Sequence, residues 1–451
     1  MSTGDVRTTQ IFYASTLYGV ATLVAALDSG CFGPTDRRLL LLANNAAVPE
    51  TAVAPDGMEG FERLRDRFDA VLSWNEAISP LHPSGWTPRP DDVPILERHL
   101  RKLWDLGDDR IELAVESVQV TPALSIAQLF PDASLYVYAD GLMSYGPTRN
   151  KIDPLVGERV RRLFCLDLVP GLAPLLLSEF GATARVVPTE AFAKVIAELS
   201  GEPAADGETG PALLLGQYLA ALSILTPAEE EALHLRMVRG AVALGHRRLA
   251  FKPHPTAPHS WTRALREEAE RLGAELTVLD RPVLAEVLYR ELRPALVVGC
   301  FSTALLTAST FYGLPVARVG TDTLLERLTP YENSNRIPVT IVDALLPDLA
   351  DPTGVAMWAP PSPSDVAEDL AGLVGAVGFA MQPQIRADLR PVAESYLAGG
   401  PTPATWRYFT RRRLTVLGLP GGLPVPRHAA VRRLARKARR LKRAALRRVS
   451  R

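Results

Sequence analysis

Apolar residues in this chain come in short continuous runs, separated by longer stretches with helical spacing. The runs at 8–14 (TTQIFYA), 38–44 (RLLLLAN), 110–116 (RIELAVE), 134–139 (SLYVYA), 212–216 (ALLLG), 247–251 (RRLAF) and 295–299 (ALVVG) are largely unbroken rather than alternating. An unbroken run fits a strand buried on both faces, which is the situation of a parallel sheet covered by helices. Between the runs, residues 17–27, 93–106, 121–129 and 304–312 carry helix-like patterns, with shorter helical stretches at 61–67 and 171–180 and a further short strand at 70–74 (AVLSW). Strands alternating with helices predict α/β domains with doubly wound parallel sheets.

Punctuation divides the chain. Five prolines between residues 77 and 94 mark a loop, and residues 200–210 (SGEPAADGETG) form the clearest linker. The organisation expected is a first Rossmann-like domain over 1–200, a linker over 201–211, and a second over 212–395. Terminal helices and a Gly/Pro hinge then occupy 396–426, and a basic tail 427–451. Thr226, Pro227 and Glu229 have the spacing of a helix start, with Thr226 as N-cap, proline in the first turn and glutamate closing a capping box. No internal repeat is evident, and no G-x-G-x-x-G follows the first strand, so a dinucleotide fingerprint is lacking.

Composition adds two things. At 451 residues, 47% hydrophobic and 22% charged, the chain is an ordinary globular one and long enough for two cores. The formal net charge of zero hides an asymmetry. Residues 427–451 hold 12 Lys and Arg and no acid, whereas the rest of the chain holds 38 basic against 50 acidic side chains. In the tail, Val431, Leu434, Ala438, Leu441 and Ala445 fall on one helical face. Two readings fit: a solvated tail, or a basic amphipathic helix that lies on an anionic membrane. No nucleic-acid-binding module accompanies it, so no specific nucleic-acid partner is expected. Three scattered cysteines show neither a disulfide framework nor metal-ligand spacing. With no signal pattern at the start and no apolar run near the roughly 20 residues of a membrane span, the expectation is a cytoplasmic protein, peripheral on the inner membrane face.

Candidate chemistry sits at strand ends, where open α/β sheets bind ligands. The run at 247–251 is followed by Lys252-Pro253-His254-Pro255, in which two prolines force the chain out of the sheet and hold a cation and an imidazole on a stiff turn. Asp140-Gly141 follows the 134–139 run. It reads as an Asp-Gly turn or as a carboxylate at a strand end, with a glycine that permits a sharp turn and close approach to a ligand. Ser302-Thr303 follows the 295–299 run at the start of a helix. It reads as a plain N-cap or as an anion site built from free N–H groups and hydroxyls. An acid in one domain and cations with hydroxyls in the other suit a transferase acting on a nucleotide-activated group: the acid deprotonates the acceptor and the cationic side stabilises the departing phosphate.

These motifs resemble those of the bacterial sialyltransferases and polysialyltransferases, which carry an acidic-acidic-Gly motif, a His-Pro motif and a Ser/Thr pair. Here they stand as Ala139-Asp140-Gly141, His254-Pro255 and Ser302-Thr303, in that order. Ala14-Ser15-Thr16-Leu17-Tyr18 is similar to the family's opening strand–turn–helix, and Leu215-Gly216-Gln217 to the start of its second domain. The resemblance covers about residues 8–395. It implies a GT-B-like α/β fold, two Rossmann-type parallel-sheet domains facing across a cleft, followed here by the C-terminal basic helix. It further implies an inverting glycosyltransferase that uses CMP-sialic acid on a glycan or glycolipid acceptor, with no metal and no other cofactor. Asp140 would be the general base. His254, with Pro255 beside it, would contact or protonate the leaving phosphate, and Ser302 and Thr303 would bind the phosphate or the donor carboxylate. Lys252 is assigned to the donor phosphate, and Gly141 and Gly216 to backbone turns. The chain departs from the pattern at Ala139, where the family has an acid. Two alternatives therefore stay open: a GT-B enzyme with a CDP- or UDP-linked donor, and a non-catalytic membrane-surface protein of the same fold.

Overall fold

The structure, a computed structural model, describes residues 6–139, 141–204, 209–217, 219–253 and 259–423. Asp140, His254, Pro255 and the 427–451 tail lie outside the described residues. Among the described residues the strands form two parallel sheets. The first has seven strands: β1 (Thr8–Ala14), β2 (Arg37–Leu42), β3 (Ala70–Ser73), β4 (Arg110–Glu116), β5 (Ser134–Ala139), β6 (Val160–Leu166) and β7 (Thr183–Val187), in the order β3-β2-β1-β4-β5-β6-β7. The second has five: β8 (Gly210–Leu215), β9 (Arg248–Lys252), β10 (Glu275–Val278), β11 (Pro294–Gly299) and β12 (Val316–Arg318), in the order β10-β9-β8-β11-β12.

Both sheets are therefore doubly wound. Strand order reverses between β1 and β4 in the first sheet and between β8 and β11 in the second. Helices cover both faces, which is why Leu39–Leu42 and Val297–Val298 are buried without alternation. This is the two-domain, GT-B-like architecture expected from the sequence.

Helix boundaries follow capping chemistry. The Leu17–Asp28 helix is capped by Thr16, whose hydroxyl accepts from the Gly19 N–H at 3.0 Å. The Pro227–Ala243 helix starts with the full Thr226/Glu229 capping box. The helical expectation for 171–180 does not hold. That segment is irregular apart from a 3-10 turn at Ser178–Phe180, and Leu177 is left-handed with φ 59°. Its amides are used elsewhere: Leu176 N–H donates to the Ser144 carbonyl at 3.2 Å and Leu177 N–H to the Thr148 hydroxyl at 3.1 Å. Pro174 and these tertiary bonds outweigh the leucines' helix propensity.

The two domains are packed together. The Thr189–Leu199 helix of the first domain presents Phe192 to Phe311 on the Thr303–Tyr312 helix of the second, edge to face at 5.9 Å. Thr310 donates to the Leu168 carbonyl at 3.1 Å, and Arg281 pairs with Glu59 at 2.9 Å. The chain then returns to the first domain. Beyond the Ala371–Met381 helix, Gln382 Nε2 donates to the Arg149 carbonyl at 2.8 Å and Arg386 to the Leu175 carbonyl at 3.1 Å.

Candidate functional site

The two points of strand-order reversal face one another. Ser15 and Thr16 leave β1, and Glu116 ends β4; across from them Gln217 follows β8, and Phe301, Ser302 and Thr303 follow β11. All seven line one cleft of about 500 Å³, together with Ala139 and Gly141 at the end of β5. A crevice of this kind outside the carboxyl ends of the strands is where doubly wound sheets take ligands.

On the first-domain wall, Glu116 lies beside Tyr138 in register across β4 and β5. Its carboxylate accepts from the Ser15 hydroxyl, from Ser15 N–H at 3.3 Å and from the Tyr138 hydroxyl at 3.2 Å. No cation contributes to this set. Burial pushes the carboxyl above its ordinary range, and the donors from Ser15 and Tyr138 offset only part of that. The Tyr13 phenol beneath is driven up as well, first by burial and then by the Glu116 charge.

On the second-domain wall, Ser302 is the N-cap of the Thr303–Tyr312 helix and accepts from Ala304 N–H at 3.2 Å. Gln217 accepts from Phe301 N–H at 2.9 Å, tying the β8 exit to the β11 exit. Thr303 reaches across the cleft, where its hydroxyl accepts from Leu142 N–H at 3.3 Å. The acidic-Gly loop and the Ser/Thr pair are thus joined directly, though 161 residues apart in sequence. Gly141 has an ordinary extended φ of −125°, so the sharp turn expected of it is not why glycine stands there. A Cβ on Gly141 would lie 3.1 Å from the Thr303 hydroxyl, and this close approach is the constraint. Gly216 is similar. A Cβ there would meet the Phe251 ring at 2.9 Å, and its N–H donates to the Lys252 carbonyl at 2.9 Å.

Lys252 is the last residue of β9 and does not line the cleft. Burial lowers its pKa while Glu286 opposes that shift. Glu286 itself is held by the Thr307 hydroxyl at 2.6 Å. The ammonium is thus engaged electrostatically with the helix that carries Glu286.

Sequence reasoning missed Glu116, Ser15, Gln217 and Arg149 as cleft residues. Glu116 carried the same signal as Asp140, an acid at the end of a buried strand, but ends of other strands carry polar residues too. The sheet register selects it.

A family model described as Alpha-2,8-polysialyltransferase (POLYST) matches residues 10–321. The chain belongs to the alpha-2,8-polysialyltransferase family. It is accordingly a glycosyltransferase of the sialyltransferase type, and the matched span contains all three motifs. No curated protein matches the sequence significantly. Among solved structures it is similar to an O-GlcNAc transferase of Thermobaculum terrenum (16% identity, 88% of this chain and 66% of that longer one, TM-score 0.37). It is also similar to MurG of Acinetobacter baumannii (10% identity, 86% and 98% of the two chains, TM-score 0.38). A UDP-glucosyltransferase from Polygonum tinctorium has 12% identity, coverage of 92% and 98%, and a TM-score of 0.40. Scores this low carry no inference about chemistry. No helix among the described residues is long and apolar enough to cross a membrane.

Proposed function

We propose that this polysialyltransferase-family enzyme transfers sialic acid, or a related nonulosonic acid, from its CMP-linked donor to a hydroxyl of a glycan or glycolipid, with inversion. The observation that carries the reading is the junction of the Gly141 loop with Thr303 at the N-terminus of the Thr303–Tyr312 helix. It brings the family's acid-bearing loop beside a helix start that favours an anion. In this reading Asp140 takes the proton of the acceptor hydroxyl. The acceptor oxygen bonds to the anomeric carbon as the bond to the CMP phosphate breaks. His254, between Pro253 and Pro255 in the sequence, meets the departing phosphate, and Ser302 and Thr303 contact the phosphate or the donor carboxylate. Lys252 contributes positive potential from behind the donor site, balanced by Glu286. No metal is given a role: carboxylate, imidazole and helix N-terminus cover the base, the leaving group and the developing charge.

Glu116 bears on the gap left by Ala139. It provides a carboxylate in the cleft wall, with a raised affinity for protons. The basic tail at 427–451 is assigned to an anionic membrane surface, which would hold the enzyme on the cytoplasmic face near a lipid-linked acceptor. Cosedimentation with phosphatidylglycerol vesicles, lost at high salt and on truncation after residue 426, checks that assignment. The donor is tested by competition. CMP should displace a labelled CMP-sugar more strongly than CDP or UDP, and the reverse order would move the enzyme to another donor class.

A further inference from the structure

Among the described residues that line the cleft, Arg149 is the one cation. It lines the cleft and also a second cavity of about 750 Å³, bordered by Lys151, Glu179, Glu332 and Arg413. Its backbone is clamped from both sides: Arg149 N–H donates to the Gln119 side-chain oxygen, and its carbonyl accepts from Gln382 on the returning C-terminal segment. Its guanidinium makes no ion pair and no side-chain hydrogen bond among the described residues. Of the carboxylates lining the two cavities, none is bonded to it, and one oxygen of Glu179 is itself buried without a hydrogen-bond partner. Glu332 pairs with Arg413 at 2.7 Å, and Glu116 is held by Ser15 and Tyr138. Burial alone depresses the Arg149 pKa, with no acid opposing it. A partly desolvated guanidinium without a counter-ion is unfavourable in a free enzyme and becomes favourable when a ligand brings the anion.

We propose that Arg149 is a specificity residue on the acceptor side, binding the carboxylate of an acidic sugar at the acceptor's end while the preceding sugar runs into the second cavity. This rests on the sialyl-transfer reading given above. The donor phosphate is assigned to the helix start at Ser302, on the other domain. Arg149 belongs to the first domain, and its second cavity is bounded by the first domain, by Glu332 of the second and by the returning C-terminal segment. Its planar fork suits a carboxylate in two-point contact.

The test uses the full-length enzyme, CMP-sialic acid, and an oligosaccharide ending in sialic acid with its terminal carboxylate either free or converted to the methyl amide. Arg149→Met should raise KM for the free-carboxylate acceptor by roughly 10- to 100-fold, the range for a lost charge-assisted hydrogen bond. It should leave KM for the amide and the affinity for CMP unchanged, and Arg149→Lys should fall between. An equal loss for both acceptors, or a loss of CMP affinity, overturns the proposal and leaves the donor reading intact. If the wild-type enzyme neither binds CMP nor turns over, the donor reading fails instead. Arg149 is then judged by calorimetric binding of the two oligosaccharides, and the absence of a difference between wild type and Arg149→Met overturns it.

Discussion

Two buried carboxylates in this molecule show opposite electrostatics. Asp343, on the Arg336–Leu345 helix, has a fully buried side chain surrounded by donors and cations: Thr321 at 2.6 Å, Tyr408 at 2.8 Å, Arg407 at 3.0 Å and Arg318 at 3.3 Å. Burial alone would raise its pKa, but Thr321, Arg318, Tyr408 and Arg407 together hold it below the usual carboxylate range. Glu116, on the cleft wall, has only the neutral donors Ser15 and Tyr138, and there burial wins. The first carboxylate is tied to its neighbours with its charged form favoured. The second has no cation among its partners and lies on the wall of the cleft where proton transfer is proposed to occur. Environments that push carboxyl pKa values apart separate structural from functional roles.

The contrast can be broken most forcefully at Asp343. Asp343→Ala leaves the guanidinium of Arg318 buried with only Asp348 as a carboxylate partner, and should destabilise the protein by about 3 kcal/mol or more in urea unfolding. The pH dependence carries the sign. Because the folded pKa is depressed, Asp343 stabilises above the ordinary carboxylate range and loses that contribution as pH falls through its folded value. The gap between wild type and Asp343→Ala should therefore narrow in acid.

Glu116 should behave oppositely and more weakly. Glu116→Ala frees three neutral donor groups, two on Ser15 and one on Tyr138, and should cost about 1–2 kcal/mol. It should also reduce turnover, because Ser15 loses its anchor beside the cleft. With a raised folded pKa, Glu116 makes the fold less stable as pH climbs from the ordinary carboxylate range through that raised value. Glu116→Gln should remove this part of the slope, so unfolding midpoints at pH 5 and pH 8 should lie closer together than in the wild type. A slope of the same sign as that of Asp343 would contradict the comparison.

Ser302→Ala should cost about 1 kcal/mol through its lost N-cap and should weaken CMP binding as well. The smallest effect is expected at Gly141. Gly141→Ala should cost well under about 1 kcal/mol, since its backbone tolerates a side chain, but Thr303 must give way. Adding Thr303→Ala should relieve that strain, giving a measurable coupling in a double-mutant cycle. Strict additivity would remove the proposed contact between the two motifs.

Much of the fold was legible because parallel strands are written as unbroken apolar runs. The runs at 38–44 and 295–299 each fall on a buried strand, and Thr226 with Glu229 announced a helix that starts where they stand. Segment 171–180 misled because its leucines are spent on tertiary contacts while its amides bond to Ser144 and Thr148, partners that a local pattern cannot contain. The site was legible only in pieces. Ser302 and Thr303 were identifiable from strand-then-helix punctuation, but that Thr303 closes on Leu142 depends on how two domains meet. Glu116 ends a strand run like several others, and Arg149 lies in an unremarkable stretch. One acquires meaning from the β4–β5 register, the other from the return of the C-terminal segment to the first domain.

The central claim is that the cleft between the facing sheet ends holds a CMP-linked donor, with Asp140 as the base. Its most direct test measures CMP affinity and CMP release from CMP-sialic acid, in the presence of a sialylated acceptor, for the wild type and for Asp140→Asn. The account predicts that the wild type binds CMP and releases it with acceptor, and that Asp140→Asn keeps the affinity and loses the turnover. Unchanged turnover in Asp140→Asn, or a wild-type enzyme that neither binds nor releases CMP, would contradict it.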